Sequence, residues 1–128
     1  MKQGKLTENV LKRSVLRRIG TYRKEMQKGA ALGQDCAFFS WKEETLATTT
    51  QTVALPVKDA GRLAVYAADN NLAAAGAQTI GISLALTIPE TLEEKELQEL
   101  MSGIDDTCRE LSIPVSYTHL TLPTICSV

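Results

Sequence analysis

An α+β domain, with a mixed or antiparallel sheet and helices on one face, is the fold this sequence predicts, and three features predict it. In QTIGISLALTI, residues 78–88, Ile80, Ile82, Leu84, Leu86 and Ile88 alternate strictly with Gly81, Ser83, Ala85 and Thr87, which is the period of a strand with one bulky and one small face. Beyond Thr91, Leu97, Leu100, Met101, Ile104, Cys108 and Leu111 recur at helical spacing with Glu and Asp residues outside the stripe, the pattern of a strongly amphipathic helix. CAFFSW (36–41) and TLATTTQTVAL (45–55) are rich in aromatic, Thr and Val residues and flank a polar KEE turn, which predicts two antiparallel strands.

Taken in order, the chain opens with a helix. Thr7 can cap it, Val10, Leu11, Val15, Leu16 and Ile19 form its apolar positions, and Gly20 ends it. Residues 21–35 lack periodicity and are expected to form a loop or extended linker, where Gly29 and Gly33 permit unusual backbone angles. After the two strands, Pro56 and Asp59 precede an alanine-rich helix over about 60 to 75, with Val65, Ala68, Leu72 and Ala75 on one face and a stop near Gly76. The 80–88 strand follows, and then Pro89. Thr91 and Glu94 have the Thr-x-x-Glu spacing of a capping box for the amphipathic helix, and SIPVS (112–116) begins a last strand. The bulky face of the 80–88 strand calls for helices over it, whereas its small face lets a second sheet or a partner subunit approach closely.

With 128 residues, 44% hydrophobic and 23% charged, the chain is large enough for one domain with a buried core. It has no run of about eighteen apolar residues, and MKQGKLTENVLKRS holds no apolar signal core, so neither a membrane span nor a secretory leader is expected and the cytoplasm is the expected compartment. Cys36, Cys108 and Cys126 are odd in number and lack Cys-x-x-Cys spacing, which predicts reduced thiols. The net charge of −1 hides an asymmetry: Lys2, Lys5, Lys12, Arg13, Arg17, Arg18, Arg23, Lys24 and Lys28 face only Glu8 and Glu25 in the first 28 residues, and the remainder is acidic. A basic arm can bind phosphate-rich partners through counterion release. Without aromatic interleaving, the expectation here is a solvated helix complementing the acidic remainder, and nucleic acid is not an expected partner.

Generic catalytic motifs are missing. KGAALGQD lacks the Gly-Lys-Ser/Thr ending of a phosphate-binding loop, no Gly-x-Gly-x-x-Gly follows a strand, and the single His119 has neither a ligand-spaced partner nor a Ser arrangement that suggests a hydrolytic triad. What stands out is YAADNNLAAAGA (66–77), where Asp69, Asn70 and Asn71 interrupt small residues. With GQDCA (33–37), GRLAVYAADNNLAAAGAQ (61–78), the alternating strand and TLEEKELQELMSGIDDTCREL, the order of elements over residues 1–116 resembles the N-terminal domain of the aminoimidazole ribonucleotide synthetase-related superfamily. It is most similar to the hydrogenase-maturation carbamoyl-dehydratase branch. The resemblance implies the N-terminal domain of the aminoimidazole ribonucleotide synthetase-like fold, binding of ATP with magnesium to activate an oxygen, a homodimer formed through the sheet, and a second α+β domain after this one.

Carried over by residue, the resemblance puts Asp35 at the acid of the family's Gly-Glu-Asp-Ala motif, as a magnesium ligand. The family's Thr-Asp pair at the end of the second strand falls on TTTQT and places Gln51, or else Thr50, at the acid. Its helical Asn-Asp pair falls on Asn70 and Asn71, on a face kept small by Ala64, Ala67 and Ala74. Asp35, Gln51, Asn70 and Asn71 are thus the implied nucleotide-binding set, and no catalytic residue is assigned. Magnesium favours anionic oxygens, so amides at two of three expected acids remove up to two compensating charges. Turnover of ATP is not expected of this chain; a dimerisation or regulatory module that has lost ATP chemistry is the alternative. Asp69 is one helical step, about 100°, from Asn70 and is expected to point elsewhere. At the tail, His119 falls near the family's Gly-Gly-His-Thr-type loop, but SYTHLTLPTICSV lacks both glycines, so His119 is given no role. Residues 117–128 are expected to be non-native, and 1–116 to be the N-terminal domain of a truncated protein whose C-terminal domain is missing.

Overall fold

Two units make up the chain, Met1–Thr50 and Gln51–Val128; the computed structural model describes residues 4–54 and 57–122. In the first unit the Thr7 hydroxyl accepts the Val10 N–H at 3.4 Å and caps α1 (Glu8–Val10). The expected single helix then changes pitch, passing through a π turn at Leu11–Val15 and a 3-10 turn at Leu16–Arg18. No residue of these three segments is buried, and Arg13 and Arg17 are like charges one turn apart, so neither packing nor side-chain pairing holds a regular helix.

Three antiparallel strands follow, β1 (Met26–Lys28), β2 (Ala37–Trp41) and β3 (Glu44–Thr48), in the order β1-β2-β3. β1 lies where a loop was expected. It is three residues long, and a register shift between Met26 and Lys28 interrupts its pairing with Phe39 and Phe38, leaving no alternation to read. β2 and β3 pair from Ala37 opposite Thr48 to Trp41 opposite Glu44. That register leaves Lys42 and Glu43 as a two-residue turn, and Lys42 adopts φ 57, the left-handed conformation such hairpins require. β3 stops at Thr48, short of the expected residue 55: the Thr49 hydroxyl donates to the Asp35 carbonyl at 2.8 Å instead of facing a ladder. Pro56 lies outside the described residues.

The second unit carries α2 (Val57–Ala74), β4 (Ile82–Thr87), α3 (Glu94–Leu111) and β5 (Val115–Thr121). β4 and β5 are parallel, Leu84 opposite Thr118 and Thr87 opposite Thr121, with α3 as the crossover. β5 therefore runs past residue 116. Val65, Leu84, Leu100, Ile104 and Cys108 form the buried core, with Ile82, Leu86, Leu97 and Met101 packed against it. Ser83, Ala85 and Thr87 stay exposed. The bulky face of β4 is thus covered by helices and its small face is not, and the α+β class holds with both antiparallel and parallel pairing.

The start of α3 differs from the expected capping box. Leu92 donates to the Pro89 carbonyl at 3.0 Å, closing a turn that uses Thr91 before the helix begins. Glu93 and Glu96 form the box instead, the Glu96 carboxylate accepting the Glu93 N–H at 3.0 Å.

At Gly61 the two helices touch: an added Cβ would lie 2.7 Å from Ile104 Cγ1 and 2.9 Å from the Leu100 carbonyl oxygen. Further along, the Tyr66 hydroxyl donates to the Glu110 carboxylate, 2.9 and 3.1 Å from its oxygens. That hydrogen bond, then burial, holds the Tyr66 phenol above the usual tyrosine range. Gly103 on α3 faces open space, with nothing within 4 Å of an added Cβ. The two glycines predict opposite responses to one methyl group. Gly61→Ala should lower stability by about 1–2 kcal/mol, because overpacking against a backbone carbonyl outweighs the gain in helix propensity. Gly103→Ala should raise it by about 0.5–1 kcal/mol, since only the propensity gain remains. Urea unfolding followed by far-ultraviolet circular dichroism measures both.

Candidate functional site

In the first unit, the approach to β2 is a braced turn. Gly33 sits at φ +72, Gln34 donates its backbone N–H to the Ala31 carbonyl at 3.3 Å, and its side-chain amide donates to the Cys36 carbonyl at 2.6 Å. Cys36 is buried and anchors the turn from below. Asp35, between them, is exposed, with its carbonyl held by Thr49. Its carboxylate is therefore presented to solvent from a fixed backbone.

In the second unit, the position of Val65 decides where the three polar residues of α2 point. Val65 is fully buried; at 100° per residue Asp69 lies about 40° from it, Asn70 about 140°, and Asn71 about 120° on the opposite side. Exposure follows this geometry. Asp69 is half-buried and accepts the Thr79 hydroxyl at 2.7 Å, Asn70 is exposed, and Asn71 is half-buried on the stripe shared by Ala64, Ala67 and Ala74. The helix can reach Thr79 because Gly76, at φ +81, turns the chain back while Ala77 donates to the Leu72 carbonyl at 2.9 Å. Asp69 is thus a tie between α2 and the segment before β4. Gln51 and Thr50 are exposed and lie in no regular element.

Asp35 belongs to the first unit, and Gln51, Asn70 and Asn71 to the second. Among the described residues no group of three or more His, Cys, Asp or Glu could hold a metal ion. Cys36 and Cys108 are buried; burial, then the Asp105 charge, pushes the Cys108 thiol up. Cys126 lies outside the described residues. His119 is exposed, its Nε2 3.0 Å from the Thr121 hydroxyl. No helix among the described residues is long and apolar enough to cross a membrane. The first unit also contains a feature the sequence did not show, an open cleft of about 700 Å³ with Arg18 and Lys28 in its lining.

The model of the AIR synthase related protein N-terminal domain matches residues 33–126, and the chain belongs to that family. It is similar to a putative hydrogenase expression/formation protein of Methanocaldococcus jannaschii, with 34% identity over 67 residues, 52% of this chain and 20% of that protein. Among solved structures it is similar to AaThiL complexed with AMPPCP and TMP, at a TM-score of 0.60 and 15% identity over 96% of this chain and 41% of that one. The second likeness shows the fold. The chain spans a fifth of the curated relative and under half of the solved one.

The residues that the family resemblance implies as ligands carry few anionic oxygens. Asp35 is a single carboxylate, Gln51 and Asn71 offer neutral amide oxygens, and Asp69 is engaged by Thr79. Neutral amide oxygens compensate the charge of a hard dication less than carboxylates do.

If Asp69 is a structural tie, its removal should show in stability. Asp69→Ala and Thr79→Val should each lower it by about 1–2 kcal/mol, as for a hydrogen bond to a charged acceptor that is partly exposed. The double variant should lose little more than either single one, and a double-mutant cycle by urea unfolding measures that coupling.

Proposed function

We propose that this chain is the nucleotide-binding-type N-terminal domain of a hydrogenase-maturation-like protein in which magnesium-dependent ATP chemistry has been lost. The observation that carries the reading is the donor set: of three acids implied by the family pattern, Asp35 remains, while Gln51 and Asn71 stand at the other two. The complex of AaThiL with AMPPCP, an ATP analogue, supports the nucleotide part, and the hydrogenase expression/formation relative supports the wider assignment.

A dication 4 Å from a carboxylate gains about 8 kcal/mol at an effective dielectric constant of about 20, twice the figure for two unit charges. Each carboxylate surrenders solvation to bind the ion, so the net loss per acid is smaller than the Coulomb figure, and two such losses act in the same direction. Amide dipoles supply a fraction of this. The exposed Asn70 keeps an amide that can donate to a nucleotide without a bridging ion.

Calorimetry with ATP, with and without magnesium, tests the reading on the full chain. Magnesium should add no affinity to the wild type, whereas Gln51→Asp/Asn71→Asp should bind ATP at least about tenfold more tightly when magnesium is present. Magnesium-dependent ATP binding or hydrolysis by the wild type would overturn it.

A further inference from the structure

The cleft of the first unit is built by two separate segments. Arg18 and Ile19 come from the turn that ends the N-terminal helix, and Met26, Lys28 and Gly29 from β1 and the residue after it. Met26 and Lys28 line the second wall, while Gln27, between them, donates its side-chain amide to the Ser40 hydroxyl at 2.6 Å. Gly29 lets Met26 lie flat on the backbone, since an added Cβ would meet its sulfur at 2.8 Å. Gln34, fixed by its bond to the Cys36 carbonyl, completes the lining.

The charge of this lining is one-sided. No carboxylate lines the cleft, and neither Arg18 nor Lys28 has an ion-pair partner among the described residues. The neighbouring Glu25 is taken by Arg23 at 2.9 Å. Two cations that share a cleft without a counter-charge repel each other, and a bound dianion would relieve that repulsion. A monocarboxylate would neutralise only one of them. Ile19 and Met26 add an apolar surface beside the charges, and a cavity of about 700 Å³ is within the range of small-molecule sites, about 300–1,000 Å³.

We propose that this cleft is a metal-independent binding site for a phosphorylated small molecule with an apolar body, its phosphoryl group held by Arg18 and Lys28. Arg offers a planar fork to two phosphoryl oxygens, and Lys adds a point charge. Metal is superfluous because the protein itself supplies the positive charge. The site stands on the first unit alone and does not depend on the nucleotide reading, whose residues Gln51 and Asn71 lie in the other unit.

Calorimetry of the full chain with phenyl phosphate in EDTA tests the proposal, with benzoate and a single-stranded oligonucleotide as comparison ligands. Phenyl phosphate should bind one to one, at least about tenfold more tightly than benzoate. Arg18→Gln and Lys28→Gln should each weaken it about tenfold, Lys28→Arg should retain it, and Met26→Ser should erode the preference for phenyl phosphate over inorganic phosphate. All three positions are exposed or half-buried, and circular dichroism verifies that each variant is folded. Lys12→Gln/Arg13→Gln, which lowers the charge of the arm outside the cleft, should leave binding unchanged. Absence of saturable binding, binding that requires magnesium, equal weakening by Lys12→Gln/Arg13→Gln, or binding of the oligonucleotide alone would each overturn it.

Discussion

Close contact between α2 and α3 at Gly61 governs the chemistry of the second unit. With only a hydrogen at that position, α2 settles against Ile104 and the Leu100 carbonyl, and Val65 and Leu72 are driven into the core on the same face. The rotation of the helix is then fixed, and every later side chain inherits it. A turn of α2 by one residue would bring Asn70 inward, exposing a buried amide to desolvation without a partner, and would swing Asp69 away from Thr79. Packing, not polarity, therefore decides that Asp69 serves the fold and that the two asparagines lie away from the core.

The consequence for function is a separation of scaffold from chemistry. The family fold persists over nearly the whole chain, as the likeness to AaThiL shows, because it depends on the alternating β4, the amphipathic α3 and the small residue at position 61. Metal chemistry depends on a few carboxylates that contribute nothing to that packing. Gln51 and Asn71 lie outside the buried core, so amide or carboxylate at those positions leaves its packing unchanged. The first unit has the opposite balance: its cleft is cationic, and positive side chains there can meet a phosphoryl group without a bridging ion.

Elements that bury one face against the core were legible in the sequence. The alternation of 80–88 and the stripe from Leu97 to Leu111 were written by β4 and α3 packing on each other through Leu84, Leu100 and Ile104. Features set by local competition were not. Thr91 and Glu94 have the spacing of a capping box, yet the turn closed by Pro89 and Leu92 moves the start of the helix to Glu93. β1 is too short and too irregular to show a period, and the pitch changes after Val10 occur where no side chain is buried. Asp35, Gln51, Asn70 and Asn71 were marked by family resemblance, since nothing in their spacing alone indicates a nucleotide. The inward turn of Asp69 followed from helical geometry, but its partner Thr79, ten residues on, did not. Arg18 and Lys28 could not be paired from sequence, because a chain reversal brings their segments to one cleft.

Manganese, a paramagnetic stand-in for magnesium, gives the most direct reading of whether the second unit's neutral donors can hold a divalent ion. Its free-ion electron paramagnetic resonance signal disappears on binding. Titrated with manganese and ATP together, the wild-type chain should leave that signal at the level of ATP alone. Sequestration of the ion by the protein, reversed by Asp69→Asn, would mean that Asp69 is a ligand rather than a tie, and would contradict the assignment of both.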